Sequence, residues 1–219
     1  PLSTAGAEIW QGEGYDMRRI GVARPTAAGS VPFEAMDGYV LEQNVLCNVS
    51  LSGKMETVTV YLPIFAGVEK LEVELPMGTF LQPPSSYTIT PPIVFYGSSI
   101  TQGACAGRPS LTYPAIVSRK LDADFLNLGF AGNALGEKEL ARYIATLNMT
   151  AFVMAYDHNA PTAEYLEKTH WPFFEIIRSA HPKMPILIIS RPRCGHSEEL
   201  TDACRLVIEK TYRMAKVAG

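Results

Sequence analysis

No stretch of this chain is apolar for long enough to cross a bilayer. Its longest apolar runs, "AFVMAY" at 151–156 and "PILII" at 185–189, are strand-length, against the roughly 20 residues a membrane helix needs. No membrane partner is expected. Basic clusters are also missing: Lys+Arg number 19 against 22 Asp+Glu, for a formal net charge of −3, so no nucleic-acid partner is expected either. Cysteine is scarce. Cys47, Cys105, Cys194 and Cys204 show neither the spacing of a metal site nor the density of a disulfide scaffold, and read as free thiols. Internal repeats and low-complexity segments are lacking, and nothing in the pattern sets an oligomeric state. The chain opens at Pro1 with no initiator Met and no signal-peptide pattern. Pro1 therefore reads as something other than the natural start, and the cytoplasm as the expected location.

What is present changes grammar near residue 85. Before it lie short segments of period-two alternation. "ETVTVYLP" places Val58, Val60 and Leu62 on one face, and "KLEVEL" sets Leu71, Val73 and Leu75 against Glu72 and Glu74. "YDMRRIGVA" and "DGYVLEQNVL" read as two more strands, separated by a loop at 25–32. Residues 1–84 are thus expected to form a small antiparallel β-sandwich. The proline-rich "LQPPSSYTITPP" at 81–92 reads as the connector, with the apolar run resuming at Ile93.

Residues 85–219 alternate strand and helix. "PIVFYG" precedes a helix opened by Ser110, with Tyr113, Ile116, Val117 and Leu121 on one face. "DFLNLGF" precedes one with Leu140, Tyr143, Ile144 and Leu147 inward. "AFVMAY" leads to a helical stretch over 162–180, where Pro172 predicts a break or a fresh first turn. "PILIIS" precedes a last helix over 197–217, with Leu200, Cys204, Val207, Ile208 and Thr211 inward. Strands apolar on both faces, alternating with helices, predict a parallel sheet covered on both sides.

In such a sheet, function gathers at the carboxyl ends of the strands. The loops there read "GSSITQGACAGRP", "GFAGNALG", "YDHNAPT" and "RPRCGHSE". The first exposes a hydroxyl at Ser98 or Ser99 beside backbone N–H groups, which suits a nucleophile. In the second, Gly129 and Gly132 permit close approach and unusual backbone angles, and so an N–H aimed at an oxyanion. The third offers the Asn159 amide to the same point.

The order "YGSSITQG", "NLGFAGN" and "YDHNA" resembles blocks I to III of the SGNH hydrolase superfamily, the GDSL-type esterases. That resemblance implies an α/β fold, a flavodoxin-like three-layer α/β/α parallel sheet. It implies Ser99 as nucleophile, in register with Ile100 and Thr101, and an oxyanion hole made by the N–H groups of Ser99 and Gly132 with the Asn159 side chain. The partner is then a small-molecule ester substrate, short acyl esters or acetylated carbohydrate, with no cofactor and no metal. "VTVYLPIFAGVEKLEVEL" is similar to the closing strands of a GxDLY-type β-sandwich that partners this fold, and "GAEIW" is a degenerate copy of its signature. Arg108 and His196 are the candidate substrate contacts.

The departures are specific. Ser98 stands where the commonest pattern has Asp, while Asp157 and Ala160 flank Asn159 where that pattern has Gly and Asp. No Asp-x-x-His occurs, although the family takes its general base and orienting carboxylate from one after a fifth strand. A truncated C-terminal part is the expectation, and the N-terminal sandwich likewise reads as starting late. Glu167-x-x-His170 imitates the spacing within a helix; His181 lies at the wrong end of the sheet. His158 neighbours Asn159, and His196 is the better substitute base. Two other classes stay open: a non-catalytic carbohydrate or ligand-binding module or degenerate hydrolase, and an FMN-binding flavodoxin-like protein.

Overall fold

The computed structural model describes residues 6–24, 47–104, 106–193 and 195–217. They divide into two units, one drawn from Pro1–Ser85 with Ala106–Leu111, the other from Ser86–Cys105 with Thr112–Gly219.

In the first unit, β1 (Ala7–Gln11) pairs antiparallel with both β2 (Arg18–Ala23) and β3 (Val58–Tyr61). Glu8 on this central strand is fully buried, and its carboxylate is neutralised rather than abandoned. It accepts the Ser110 N–H at 2.9 Å and pairs with Arg108 at 3.2 Å and Arg19 at 3.5 Å. The described residues form this single three-stranded sheet and not the second layer of a sandwich. "KLEVEL" is irregular chain with Leu71 and Val73 57% and 68% exposed, and Val58 and Leu62 also face outward. Alternation of this kind marks a strand only where a ladder partner exists, and no described strand pairs with 70–75. "DGYVLEQNVL" lies outside the described residues, as do Cys105 and Cys194; Cys47 and Cys204 are free thiols.

The second unit holds a parallel sheet of β4 (Ile89–Gly97), β5 (Ala123–Gly129), β6 (Ala151–Ala155) and β7 (Ile186–Ile188) in the order β5-β4-β6-β7. Side chains alternate across it and bury both faces. Val94, Tyr96, Phe152 and Met154 pack on one side. They meet Ile144 of α3 (Lys138–Ala145), Leu166, Phe173 and Ile177 of α4 (Ala163–Ala180), and Cys204 and Ile208 of α5 (Glu198–Val217). Ile93, Phe95 and Val153 point the other way, to Tyr113 and Val117 of α2 (Tyr113–Leu121). This is the expected α/β/α layering, with three helices on one face and α2 on the other. The short α1 (Ser99–Gln102) follows β4 directly.

Several boundaries differ from the sequence pattern for identifiable reasons. β4 starts at Ile89, not Ile93, because its two prolines sit where the register shifts and their missing N–H groups are not needed; the Pro91 and Pro92 carbonyls instead accept from Thr150. Ser110 lies in a 3-10 turn, and α2 is capped by Thr112, whose hydroxyl accepts the Ala115 N–H. Tyr143 and Leu121, the last residue of α2, face outward. Pro172 does not break α4, whose 18 residues run through it. Buried Leu166 and His170 before the proline and Phe173, Phe174 and Ile177 after it hold both halves to the core, offsetting the lost hydrogen bond. α5 carries the expected inward residues, with Cys204, Ile208 and Thr211 buried. No helix among the described residues is long and apolar enough to cross a membrane.

His170 gives the fold a pH dependence. It is 1% exposed, its Nδ1 lies 2.8 Å from Thr211 Oγ1, and burial pushes its pKa down to about 4. Below its ordinary value near 6.5 the unfolded chain takes up a proton that the native state refuses until about pH 4. Its contribution is therefore intact above the ordinary value and is lost as pH falls to the native one, by about 3 kcal/mol in all. Urea unfolding of the wild type and His170→Gln at several pH values across that window should show a shallower decline in the variant. Equal slopes would contradict this account.

Candidate active site

Register brings the candidate loops together. Gly97 at the end of β4 lies opposite Gly129 of β5 and Ala155 of β6, so three loops leave the sheet side by side. Hydrogen bonds then join them in series. The Ser98 N–H donates to the Ala155 carbonyl at 3.3 Å, and the Phe130 N–H to the Gly97 carbonyl at 2.9 Å. The Asn159 side-chain amide donates to the Phe130 carbonyl at 3.0 Å. Ser99, Gly132 and Asn159 thus sit on loops fastened to one rim.

The two serines have different surroundings. Ser98 is the N-cap of α1: its backbone is extended, its hydroxyl accepts the Ile100 N–H at 3.2 Å, and it is 1% exposed. Ser99 is the first helical residue and only partly buried. α1 closes on Gly103 at φ 119°, where the Gly103 and Ala104 N–H groups both donate to the Ser99 carbonyl.

What holds α1 over the strand ends is the lack of side chains beneath it. A Cβ on Gly129 would fall 2.1 Å from the Gln102 nitrogen and 2.5 Å from its Cα; one on Gly97 would fall 2.0 Å from Thr101 Oγ1. The close approach foreseen for Gly129 is therefore real, and Gly132, exposed at φ 69°, takes the left-handed conformation that favours glycine. Asn127 ties the two elements, donating from Nδ2 to the Thr101 carbonyl at 3.0 Å and accepting the Gly129 N–H. Gln102 Oε1 accepts the Ala131 N–H at 2.8 Å. Neither residue was singled out from sequence, although an asparagine inside the apolar run "DFLNLGF" was a usable signal.

Asn159 ends a 3-10 turn, Asp157–Asn159, and its N–H donates to the Tyr156 carbonyl at 3.0 Å. Asp157 beneath it is buried, which pushes its carboxyl up, while contacts with Arg191 pull it back. The Arg191 N–H donates to Asp157 Oδ2 at 2.8 Å, and the guanidinium reaches the Asp157 and Ala160 carbonyls. A buried arginine cannot be told from a solvated one by sequence alone, and this pair was missed.

His158 is held below its ordinary pKa by burial, with His196 and Arg191 adding to the effect. Its ring lies edge-on to His196, centroids 4.6 Å apart, and His196 Nε2 is 3.1 Å from the His158 carbonyl. His196 is exposed beside the Asn159 turn, whereas Arg108 is engaged in the first unit by Glu8. Glu167 pairs with Lys210, His170 with Thr211, and His181 with the Ala145 carbonyl, so none of the three joins the rim. Among the described residues no three His, Cys, Asp or Glu side chains gather as metal ligands.

The model of the GDSL-like lipase/acylhydrolase family matches residues 90–216, more than half of the chain. The chain belongs to this family. It is similar in structure to a protein of Bacteroides ovatus ATCC 8483 assigned as a GDSL-like lipase, at 25% identity and a TM-score of 0.78, covering 99% of this chain and 62% of the other. It is also similar to the salicylyl-acyltransferase SsfX3 of a tetracycline biosynthetic pathway, at 21% identity and TM-score 0.71, covering 98% and 60%. A family two carbohydrate esterase from Clostridium thermocellum, solved with cellohexaose, matches at 14% identity and TM-score 0.60, covering 100% and 77%. The last two likenesses show the fold. The chain spans about 60% of the length of the first two proteins, and no curated protein matches it.

The rim of this chain requires bare glycine under α1. Gly129→Ala should cost about 1–3 kcal/mol, because the added methyl meets backbone that cannot rotate away. Chemical denaturation checks this; an unchanged midpoint would mean that the helix shifts freely.

Proposed function

We propose that this protein is a serine acyl-ester hydrolase in which Ser99 attacks the ester carbonyl and carries the acyl group to water. One observation carries the reading: the loops bearing Ser99, Gly132 and Asn159 are hydrogen-bonded to one another along one rim, with Ser98 committed as the cap. In this reading the Ser99 oxygen forms the new bond to carbon as its proton passes to a general base. The tetrahedral oxyanion accepts from the Ser99 and Gly132 N–H groups and from the Asn159 amide, which has a second N–H besides the one given to Phe130. Collapse expels the alcohol, which takes the proton, and water repeats the sequence on the acyl-enzyme.

The resemblance assigns that base to an Asp-x-x-His, which these 219 residues do not contain. His196 is assigned to the substrate side of the rim, as an exposed polar contact beside the Asn159 turn. Arg108 would join it only by leaving Glu8. For substrate, short acyl esters and acetylated carbohydrate are favoured. Support for the latter is the structural likeness to carbohydrate esterases from Clostridium thermocellum and Cellvibrio japonicus.

Hydrolysis of p-nitrophenyl acetate, by the 219-residue chain and by the product of its complete gene, tests the reading. Ser99→Ala should remove roughly four orders of magnitude or more from the rate of the active form. Asn159→Ala should lower kcat by roughly 100- to 1,000-fold with little change in KM. Activity indifferent to Ser99, or none in either form, would overturn the proposal; specific glycan binding without turnover would favour the binding-module alternative.

A further inference from the structure

We infer that Arg191 and Asp157 are positioning residues for the Asn159 amide, forming a buried strut that fixes the oxyanion donor of β6 from the loop after β7. The inference rests on the acyl-hydrolase reading above and extends it to two residues that approach no substrate themselves.

The strut is defined by its contacts. The side chains of Arg191 and Asp157 are 0% and 2% exposed, with Nε 3.6 Å from Oδ2. The Arg191 backbone N–H donates to that same oxygen at 2.8 Å. Nη2 donates to the Asp157 carbonyl and reaches the Ala160 carbonyl at 3.4 Å. One planar guanidinium therefore grips the turn on both sides of Asn159, which cannot move without breaking contacts at 157 and 160. The turn's own Ala160 N–H, donating to the Asp157 carbonyl at 3.0 Å, closes the frame.

The arrangement is costly in water-free surroundings and is matched to its task. Two buried charges must be desolvated, so an ion pair adds little net stability over apolar packing. It fixes direction instead. The guanidinium places Nη2 between the two carbonyls while Nε stands beside the carboxylate as its ion-pair partner, and lysine, a single ammonium on a flexible stem, cannot hold both positions at once. An oxyanion donor must be held to within a fraction of an ångström to act in the transition state. Asn159 is otherwise fixed on this rim by its amide bond to Phe130 and its N–H bond to Tyr156.

The test uses p-nitrophenyl acetate kinetics on the product of the complete gene, with Arg191→Lys, Asn159→Ala and the double variant. Arg191→Lys should lower kcat about tenfold or more with KM within about threefold, and should cost less than about twofold more once Asn159 is alanine. An equal loss in both backgrounds, or a rise in KM alone, would show a merely structural role and overturn the inference. Should Arg191→Lys not fold, Asp157→Asn goes through the same cycle with the same outcomes. A readout that needs neither variant nor activity is NMR relaxation of the Asn159 side-chain amide in the wild type. An order parameter near the rigid backbone value of about 0.85 supports the strut, and one below about 0.6 overturns it. If the wild type and Ser99→Ala are equally inactive, the hydrolase reading fails by itself, while the amide measurement still judges the strut.

Discussion

Parallel pairing of three strand ends is the constraint on which everything else in the second unit depends. Because Gly97 shares its register with Gly129 and Ala155, the chain must leave the sheet at three adjacent points on one edge. A one-residue slip of β5 or β6 would send its core residues to the opposite face. Burial of Tyr96, Phe152 and Met154 on one side and of Phe95 and Val153 on the other excludes that slip. Hydrophobic packing thus fixes the location of polar groups that it never touches.

From that edge outward, backbone contacts replace packing. α1 lies against bare glycine backbone, Asn127 and Gln102 stitch it to the loop after β5, and Arg191 braces the turn after β6. Asn127, Gln102 and the Asp157 carboxylate each have a hydrogen-bond partner here, as expected where desolvated donors and acceptors would otherwise cost several kcal/mol. Arg191 Nε and Nη1 and His158 Nδ1, by contrast, are buried without one among the described residues. Tyr96 shows how core and rim are joined. Its ring stacks on Phe173 at 4.7 Å in the core, while its hydroxyl accepts the Gly136 N–H and meets Glu137 in the loop after β5.

Much of this was legible from residue order. Runs apolar on both faces marked β4, β5 and β6, and the stripe of α5 matched burial closely, because long periodic segments report their environment directly. "KLEVEL" misled because alternation reports a preference and not a partner. Pro172 misled because tertiary packing on both sides outweighs one absent N–H. At the rim, glycines and serines at strand ends carried a signal through their backbone requirements. The Arg191 and Asp157 strut carried none, since neither residue type nor spacing distinguishes a desolvated charge from a solvated one.

The cap at residue 98 has an electrostatic consequence. An aspartate there, as in the commonest pattern of the family that the sequence resembles, would place a full negative charge one residue from Ser99, the proposed nucleophile. Ser98 offers the Ile100 N–H an equivalent acceptor while staying neutral. The cap next to Ser99 therefore contributes a dipole and no fixed charge, and an anion arriving or forming at Ser99 is not repelled by the residue that caps its helix.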